Sequence, residues 1–371
     1  MERKKYDYLI VGSGLFGCVF AQQTKLLNRT CLIIDKRPHL GGNIYCKEMD
    51  GINVHLYGAH IFHTDKKEIW DYVNQFVTFN NYINSPLAYY KGKIYNLPFN
   101  MNTFHALWGV NTPEEAKAKI EEQRGEFANI DPVNLEEQAL KLCGRDIYEI
   151  LIKGYTEKQW GRDAKDLPPF IIRRIPMRFT YNNNYFDDPF QGIPIGGYNK
   201  LIDNLLDGIE TITETNYFDN KEYFDSICNK VLFTGRIDEF FNYKFGELEY
   251  RSLRFEHQHL DMQDYQGNAV VNYNEKEVPY TRIIEHKHFE FGSQPSTIIT
   301  KEYPDSFSEG KEPYYPINDS RNKTILEKYK KEAEQSQKYI FGGRLGQYAY
   351  YDMDDIVYQA LQLAKKESEE K

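Results

Sequence analysis

The sequence predicts an α/β chain with α/β material at both ends and a helical and a β segment inserted between them. Three observations carry this. "YDYLIVGSGLFGCVFAQQTKLL" at the start reads as a buried strand, a glycine turn and a helix, and "TCLIID" (30–35) as a second short apolar strand. "KYIFGG" (338–343) near the end reads as another strand, followed by apolar residues three and four apart over Ile356–Ala364. Between them the period changes twice.

The first change gives helices. One is expected over Pro113–Arg124, and a longer one from Asn134, a cap with Glu137 three residues on. Ala139, Leu142, Ile147, Ile150 and Leu151 share roughly one face of it. The second change, over about 245–300, gives strands. Val278, Tyr280, Arg282 and Ile284 alternate with Pro279, Thr281 and Ile283, and "EHKHFEF" alternates as well, so His286 and His288 are expected to face water. Asp354 or Asp355 is expected to cap the last helix, and "KKESEEK" reads as a frayed tail.

The 371 residues exceed one compact core, so two or three domains are expected. A formal net charge of −9 and a pI near 5.6 argue against a nucleic-acid partner, whose binding needs a basic face. Cys18, Cys31, Cys46, Cys143 and Cys228 are odd in number and lack metal spacing, which suits a reducing cytoplasm. "MERKK" before an apolar run imitates a secretion signal, but the glycines at 12, 14 and 17 explain that run better. No apolar run reaches the ~18 residues of a membrane span.

Gly12-Ser13-Gly14-Leu15-Phe16-Gly17 follows a strand and opens a helix. The first glycine permits the tight turn, the second lets backbone approach a pyrophosphate, and the third lets helix and strand pack closely. Asp35, 18 residues past Gly17, ends the second strand and is placed to accept from a ribose hydroxyl. The pattern indicates a dinucleotide. "KRPHLGGN" (36–43), with Gly42 and Asn43, resembles the second glycine pair of FAD-binding flavoproteins of the glutathione-reductase/amine-oxidase type, and "FGGR" (341–344) lies where such proteins close the flavin site. FAD is therefore the expected cofactor.

"RRIPMRFTYNNNYF" (173–186) gathers three arginines and four aromatic rings in an acidic chain. It is a solvated surface cluster or a site for a doubly charged ligand. Arg282 poses the same question: a cation on an apolar strand face wants either an internal Asp or Glu or an anionic ligand.

"YGAHIFHT" (57–64), "LPFNMNTF" (97–104), "GYTEKQWG" (154–161), "NNYFDDPFQGIPIGGY", "EPYYPIND" (312–319) and "FGGRLGQYAYYDMDD" (341–355) together resemble bacterial UDP-galactopyranose mutases, in order and across nearly the whole chain. The resemblance implies a Rossmann-like FAD-binding domain with an inserted helical domain and an antiparallel β-sheet domain. The expected division is 1–80 plus 190–245 plus 320–371 for FAD, 100–170 helical with a mobile loop at about 165–178, and 81–99 plus 179–189 plus 246–319 for the sheet. Pro168, Pro169 and Pro176 bracket that loop.

What the resemblance implies chemically is interconversion of UDP-galactopyranose and UDP-galactofuranose without net redox, reduced FAD attacking the anomeric carbon through N5 and expelling UDP. Arg174 on the loop and Arg282 on the sheet would reach the diphosphate, where charge grows as the bond breaks. His60 would join them in catalysis, with His60 and His63 beside the isoalloxazine. Tyr155 would stack on uracil, with Trp160 and Phe186 lining the pocket. Tyr185, Tyr315 and Tyr350 would bond the diphosphate, and Asn84, Arg251 and Asn272 would surround flavin or sugar. Arg344, Asp352 and Met353 belong to the cofactor side, beside Gly12, Gly14, Gly17 and Asp35. No metal is expected: His60 and His63 lack further ligands, and Asp352, Asp354 and Asp355 read as a helix start. NAD(P)H or another reductant, a homodimer and a cytoplasmic location complete the expectation. Ala59 stands where many members carry proline, which leaves open UDP-N-acetylgalactosamine as an additional or main substrate. An amine-oxidase-like FAD oxidoreductase is the alternative enzyme, and a non-catalytic escort protein of the same fold a third reading.

Overall fold

The structure is a computed structural model describing residues 6–172 and 176–369. Five parallel strands form its first sheet, in the order Tyr339–Phe341, Cys228–Phe233, Tyr6–Val11, Cys31–Ile34, Glu210–Ile212. Tyr6–Val11 lies between two neighbours, Val11 opposite both Phe233 and Ile34. Both its faces are covered, Tyr8 and Ile10 on one and Leu9 on the other, which is why residues 8–11 read as a continuous apolar run rather than an alternating one. Helices Leu15–Leu26, Tyr198–Leu205 and Met353–Glu369 cover one face around Phe20, Ile33, Tyr198 and Val357. Tyr217, Phe224 and Phe233 pack on the other.

The second sheet has seven strands, in the order Tyr315–Pro316, Tyr250–Leu260, Thr297–Ser306, Arg282–Glu285, Val270–Tyr273, Leu87–Tyr90, Lys93–Asn96. It is antiparallel except where Val270–Tyr273 runs parallel to Leu87–Tyr90. A separate helical core holds Phe104, Ile120, Leu140, Tyr148 and Leu151. Helix Pro113–Arg124 opens with a reciprocal capping box between Thr112 and Glu115. Asn134 caps Leu135–Cys143 by accepting from the Glu137 N–H at 2.9 Å.

Four local readings are corrected. The long helix from Asn134 breaks at Gly144 (φ +82°) and resumes as a π-helix over Tyr148–Lys153. A Cβ on Gly154 would lie 2.1 Å from the Asn274 carbonyl, and Asn274 Nδ2 donates to Leu151 O at 2.7 Å. The widened turn thus packs directly on the sheet, just before Tyr155. The strand read through Val278 and Tyr280 begins only at Arg282. "EHKHFEF" enters a 3₁₀ turn at His286–Glu290, so His286 is buried instead of solvated. The last helix starts at Met353, and Asp354 is buried in its first turn, accepting from Thr64 Oγ1 at 3.0 Å rather than capping. All five cysteines are free and buried. Among the described residues no helix is long and apolar enough to cross a membrane.

Candidate active site

The glycine turn sits at the carboxyl ends of the parallel strands, the usual ligand position in such sheets. Gly12 has φ +105°, and a Cβ there would meet Thr234 Oγ1 at 2.1 Å. A Cβ on Gly17 would lie 2.3 Å from Gly12 O, so helix and strand touch backbone to backbone. A Cβ on Gly14 would meet nothing within 4 Å, which leaves its backbone open to a ligand. The second glycine pair closes over the first: Gly41 N–H donates to Ser13 O at 3.0 Å, and a Cβ on Gly42 would reach Gly14 Cα at 2.9 Å. Asp35 is buried, accepting from Ser13 N–H (2.8 Å), Ser13 Oγ (2.6 Å) and Arg37 N–H (2.9 Å).

These groups line a cavity of about 430 Å³ that includes Gly12, Gly14, Asp35, Arg37, Gly42 and Asn43. Gly17 lies beneath it, as its packing role requires. Arg37 pairs with Glu312 (2.8 Å), donates to Asn43 Oδ1 (3.0 Å) and lies 4.4 Å over the Tyr57 ring, while its NH1 is buried without a partner. An orphaned guanidinium nitrogen beside an open glycine turn fits the diphosphate of FAD.

A second cavity of about 430 Å³ adjoins the first, and Asn43, His60, Arg344, Tyr351 and Met353 line both. His60 Nδ1 lies 2.8 Å from Gly58 O, and that carbonyl assigns the proton to Nδ1, leaving Nε2 as an acceptor. Burial pushes His60 down to about 4, so the ring is neutral. Arg344 lies 4.9 Å over the Tyr350 ring, and its Nε is buried and unpartnered.

Arg282 is a second guanidinium in the lining of the second cavity, beside Arg344. Nε of Arg282 lies 3.2 Å from Glu302 Oε1 and NH2 donates to Tyr155 Oη at 2.6 Å. Burial opposes its charge, but Glu302 and Tyr155 outweigh that and raise its pKa. Both readings of Arg282 therefore meet: an internal carboxylate exists, and the guanidinium still lines a cavity. Tyr185, Tyr315 and Tyr350 line the same cavity, with the Tyr315 and Tyr350 rings stacked at 6.0 Å. Asn84 and Asn272 each turn a buried, unpartnered Oδ1 into this neighbourhood. Asp352 lies here too, its pKa raised by burial. Ala59, His63 and Phe186 complete the wall.

Two expected residues sit elsewhere, and a third is outside the described residues. Arg251 lines neither cavity: its Nε donates to Gln159 O (3.0 Å) and its NH1 to Ser306 Oγ (3.2 Å), tying a helix end to the sheet. Trp160 packs against the helical core. Arg174 lies outside the described residues, with Arg173. The third arginine of that segment, Arg178, is structural: it pairs with Asp187 (2.5 Å) and donates to Asn184 O. Sequence reasoning missed Arg37, Asp188, Glu302 and Glu312. Glu302 had a signal in the Arg282 strand face, which asks for an acid across the ladder, and Glu302 is its register partner.

Residues 150–350 match the family model described as UDP-galactopyranose mutase, and residues 10–76 match that of an NAD(P)-binding Rossmann-like domain. A probable UDP-galactopyranose mutase of Klebsiella pneumoniae is 40% identical over 366 residues, covering 96% of this chain and 94% of the relative. The chain belongs to the UDP-galactopyranose mutase family. It is thus an enzyme of the isomerase kind. A second member-like relative, the dTDP-fucopyranose mutase of Escherichia coli, is 39% identical over 366 residues, covering 96% of this chain and 97% of its own. The fold of the family is also that of a solved reduced UDP-galactopyranose mutase, with a TM-score of 0.74 at 14% identity, covering 98% of this chain and 94% of that one.

Proposed function

We propose that the enzyme interconverts the pyranose and furanose forms of a nucleotide-linked galactose, UDP-galactose first, with reduced FAD held across the two cavities. The observation that carries this is the junction: a dinucleotide cavity opens, through five shared residues, into a polar cavity that sets the fixed Arg282 cation among tyrosines. An oxidase of the same fold has no need of that cation. When bound in reduced form, FAD supplies a nucleophile for the anomeric carbon and recovers its electrons at the end.

The chain's own residues do the rest. Arg37, Asn43 and the two glycine turns hold the cofactor's diphosphate half. Arg282, fixed by Glu302 and Tyr155 on one edge, turns its remaining N–H groups to the UDP diphosphate and offsets the charge that grows there. Tyr185, Tyr315 and Tyr350 add neutral donors, and Arg174 joins them on the family resemblance. Neutral His60 presents an acceptor where the sugar meets the cofactor. The three-part domain division, a homodimer, cytoplasmic location and reduction by NAD(P)H belong to the same reading, supported by the family resemblance.

The dTDP-fucopyranose mutase relative, only slightly less identical than the first, favours a second reading in which the sugar nucleotide differs. Incubating the reduced, FAD-loaded enzyme with UDP-galactose, UDP-N-acetylgalactosamine and dTDP-fucose separately, then resolving products by chromatography, tests both. A furanose product from UDP-galactose supports the first; product from one of the others alone moves the specificity; none from any overturns the proposal.

A further inference from the structure

Strand Phe62–Thr64 pairs with Phe190–Gly192, and the pairing brings segment 184–189 over the His63 ring. His63 Nδ1 lies 2.5 Å from Asp188 Oδ2, and the ring stacks on Phe186 with centroids 3.6 Å apart and planes at 14°. The carboxylate accepts from Nδ1–H and the phenyl ring fixes the imidazole plane. Nε2 is left on the free edge, with no partner among the described residues. His63 lines the substrate cavity with Asn84 and Asp352, and does not line the dinucleotide cavity.

The reaction needs a proton to move. A pyranose has a C1–O5 bond and a proton on O4; a furanose has a C1–O4 bond and a proton on O5. One C–O bond breaks, one forms, and a proton leaves one oxygen and reaches the other, with no net change in oxidation state. We propose that His63 moves this proton at Nε2, with Asp188 as its positioning partner. The imidazolium gives its Nε2 proton to O5 as the C1–O5 bonding pair goes to O5. Neutral Nε2 then takes the proton from O4 as an O4 lone pair forms the bond to C1, and the imidazolium is restored. This rests on the mutase reading, which supplies the nucleophile that holds C1 meanwhile. A histidine oriented by a carboxylate suits such transfers in both directions.

The charged groups facing this imidazole are Asp188 from segment 184–189 and Asp352 from the segment before helix Met353–Glu369. Arg344 and Asp354 act on Asp352 in turn. The paired strand Phe190–Gly192 brings no titratable side chain.

The test compares His63→Gln, Asp188→Asn and the parent, all FAD-loaded and reduced, with UDP-galactose. His63→Gln should lose about 10²-fold or more in kcat, with KM within about threefold, and should lose the parent's solvent isotope effect on kcat. Asp188→Asn should lose kcat in the same direction. In cofactor-free protein, a low-field proton resonance from Nδ1–H should be present in the parent and absent in both His63→Gln and Asp188→Ala, while UDP affinity is unchanged. His63→Gln with kcat within about threefold of the parent, or with the parent's solvent isotope effect, overturns the proposal. A parent that converts the sugar while His63→Gln does equally well sinks the histidine role alone; an inactive parent sinks the mutase reading as well.

Discussion

Arg282→Ala removes a cation from a place where a carboxylate is buried to meet it. The Glu302 side chain is 3% exposed, and its Oε1 lies 3.2 Å from Arg282 Nε. Its nearest other support, Thr281 Oγ1 at 3.4 Å, is a neutral donor. Breaking a buried pair by removing one partner costs roughly 3–5 kcal/mol, because the remaining charge must stay desolvated or take a proton. Arg282→Ala should therefore unfold in urea with a stability lower by about that amount. Adding Glu302→Gln removes the orphan charge while keeping the volume, and should recover all but about 1–2 kcal/mol. Turnover should not follow. Both variants lack the Arg282 cation at the diphosphate, so both should remain at least about 10²-fold below the parent in kcat, with FAD still bound. Urea titrations at neutral pH, flavin absorbance after gel filtration and initial rates with UDP-galactose make the comparison. Turnover returning together with stability in the double variant would refute the electrostatic role, since the single variant's defect would then be a folding defect.

Further outcomes are expected. Gly17→Ala places a methyl 2.3 Å from the Gly12 carbonyl, which is backbone and cannot swing aside, so the protein should purify without flavin and melt below the parent. Arg174→Ala should lower kcat about 10²-fold or more while leaving FAD bound, as measured by initial rates and flavin content. Burial holds His55 down at about 3 and His60 at about 4, against a usual 6.5. Their folded-state values are depressed, so the unfolded chain binds more protons below pH 6.5. Stability is full above that pH and should fall on acidification through 6.5 towards 4, by about 1.4 kcal/mol per pH unit for each ring, in urea titrations of cofactor-free protein. Stability that rises on acidification across that window would contradict it.

Tyr6–Val11, Cys31–Ile34 and Tyr339–Phe341 of the parallel sheet, and its first and last helices, were legible because each carries its own signal, whereas Glu210–Ile212, Cys228–Phe233 and helix Tyr198–Leu205 were not read. The stretch 8–11 is apolar throughout because both faces are covered, and Gly12 and Gly17 after it are demanded by contacts a Cβ would break. Helix Leu135–Cys143 announces its start by Asn134 with Glu137 three residues on. The misread stretches are those where distant partners decide. His286 alternates with its neighbours like a solvated strand residue, yet it is fully enclosed. Its Nε2 meets Thr300 Oγ1 at 2.6 Å and its Nδ1 accepts from the His55 N–H, and both contacts are long-range. The π-helix before Tyr155 exists to fit the Asn274 loop, about which the local sequence of 148–153 says nothing. The candidate site was legible mainly through motifs matched to a family. Arg251 shows the limit of that route, its guanidinium being spent on Gln159 and Ser306. Glu302 and Asp188 show the converse: acids that hold a cation or an imidazole in place become visible only once the fold brings them within 3.2 and 2.5 Å of their partners.

The most direct measurement follows flavin spectrum and sugar nucleotide together, in a sealed anaerobic cuvette holding FAD-loaded enzyme and UDP-galactose. Furanose should appear only after the flavin has been reduced, and the spectrum should stay that of reduced flavin through many turnovers. Equal conversion with oxidised flavin, or consumption of sugar matched by peroxide once air is admitted, would contradict it.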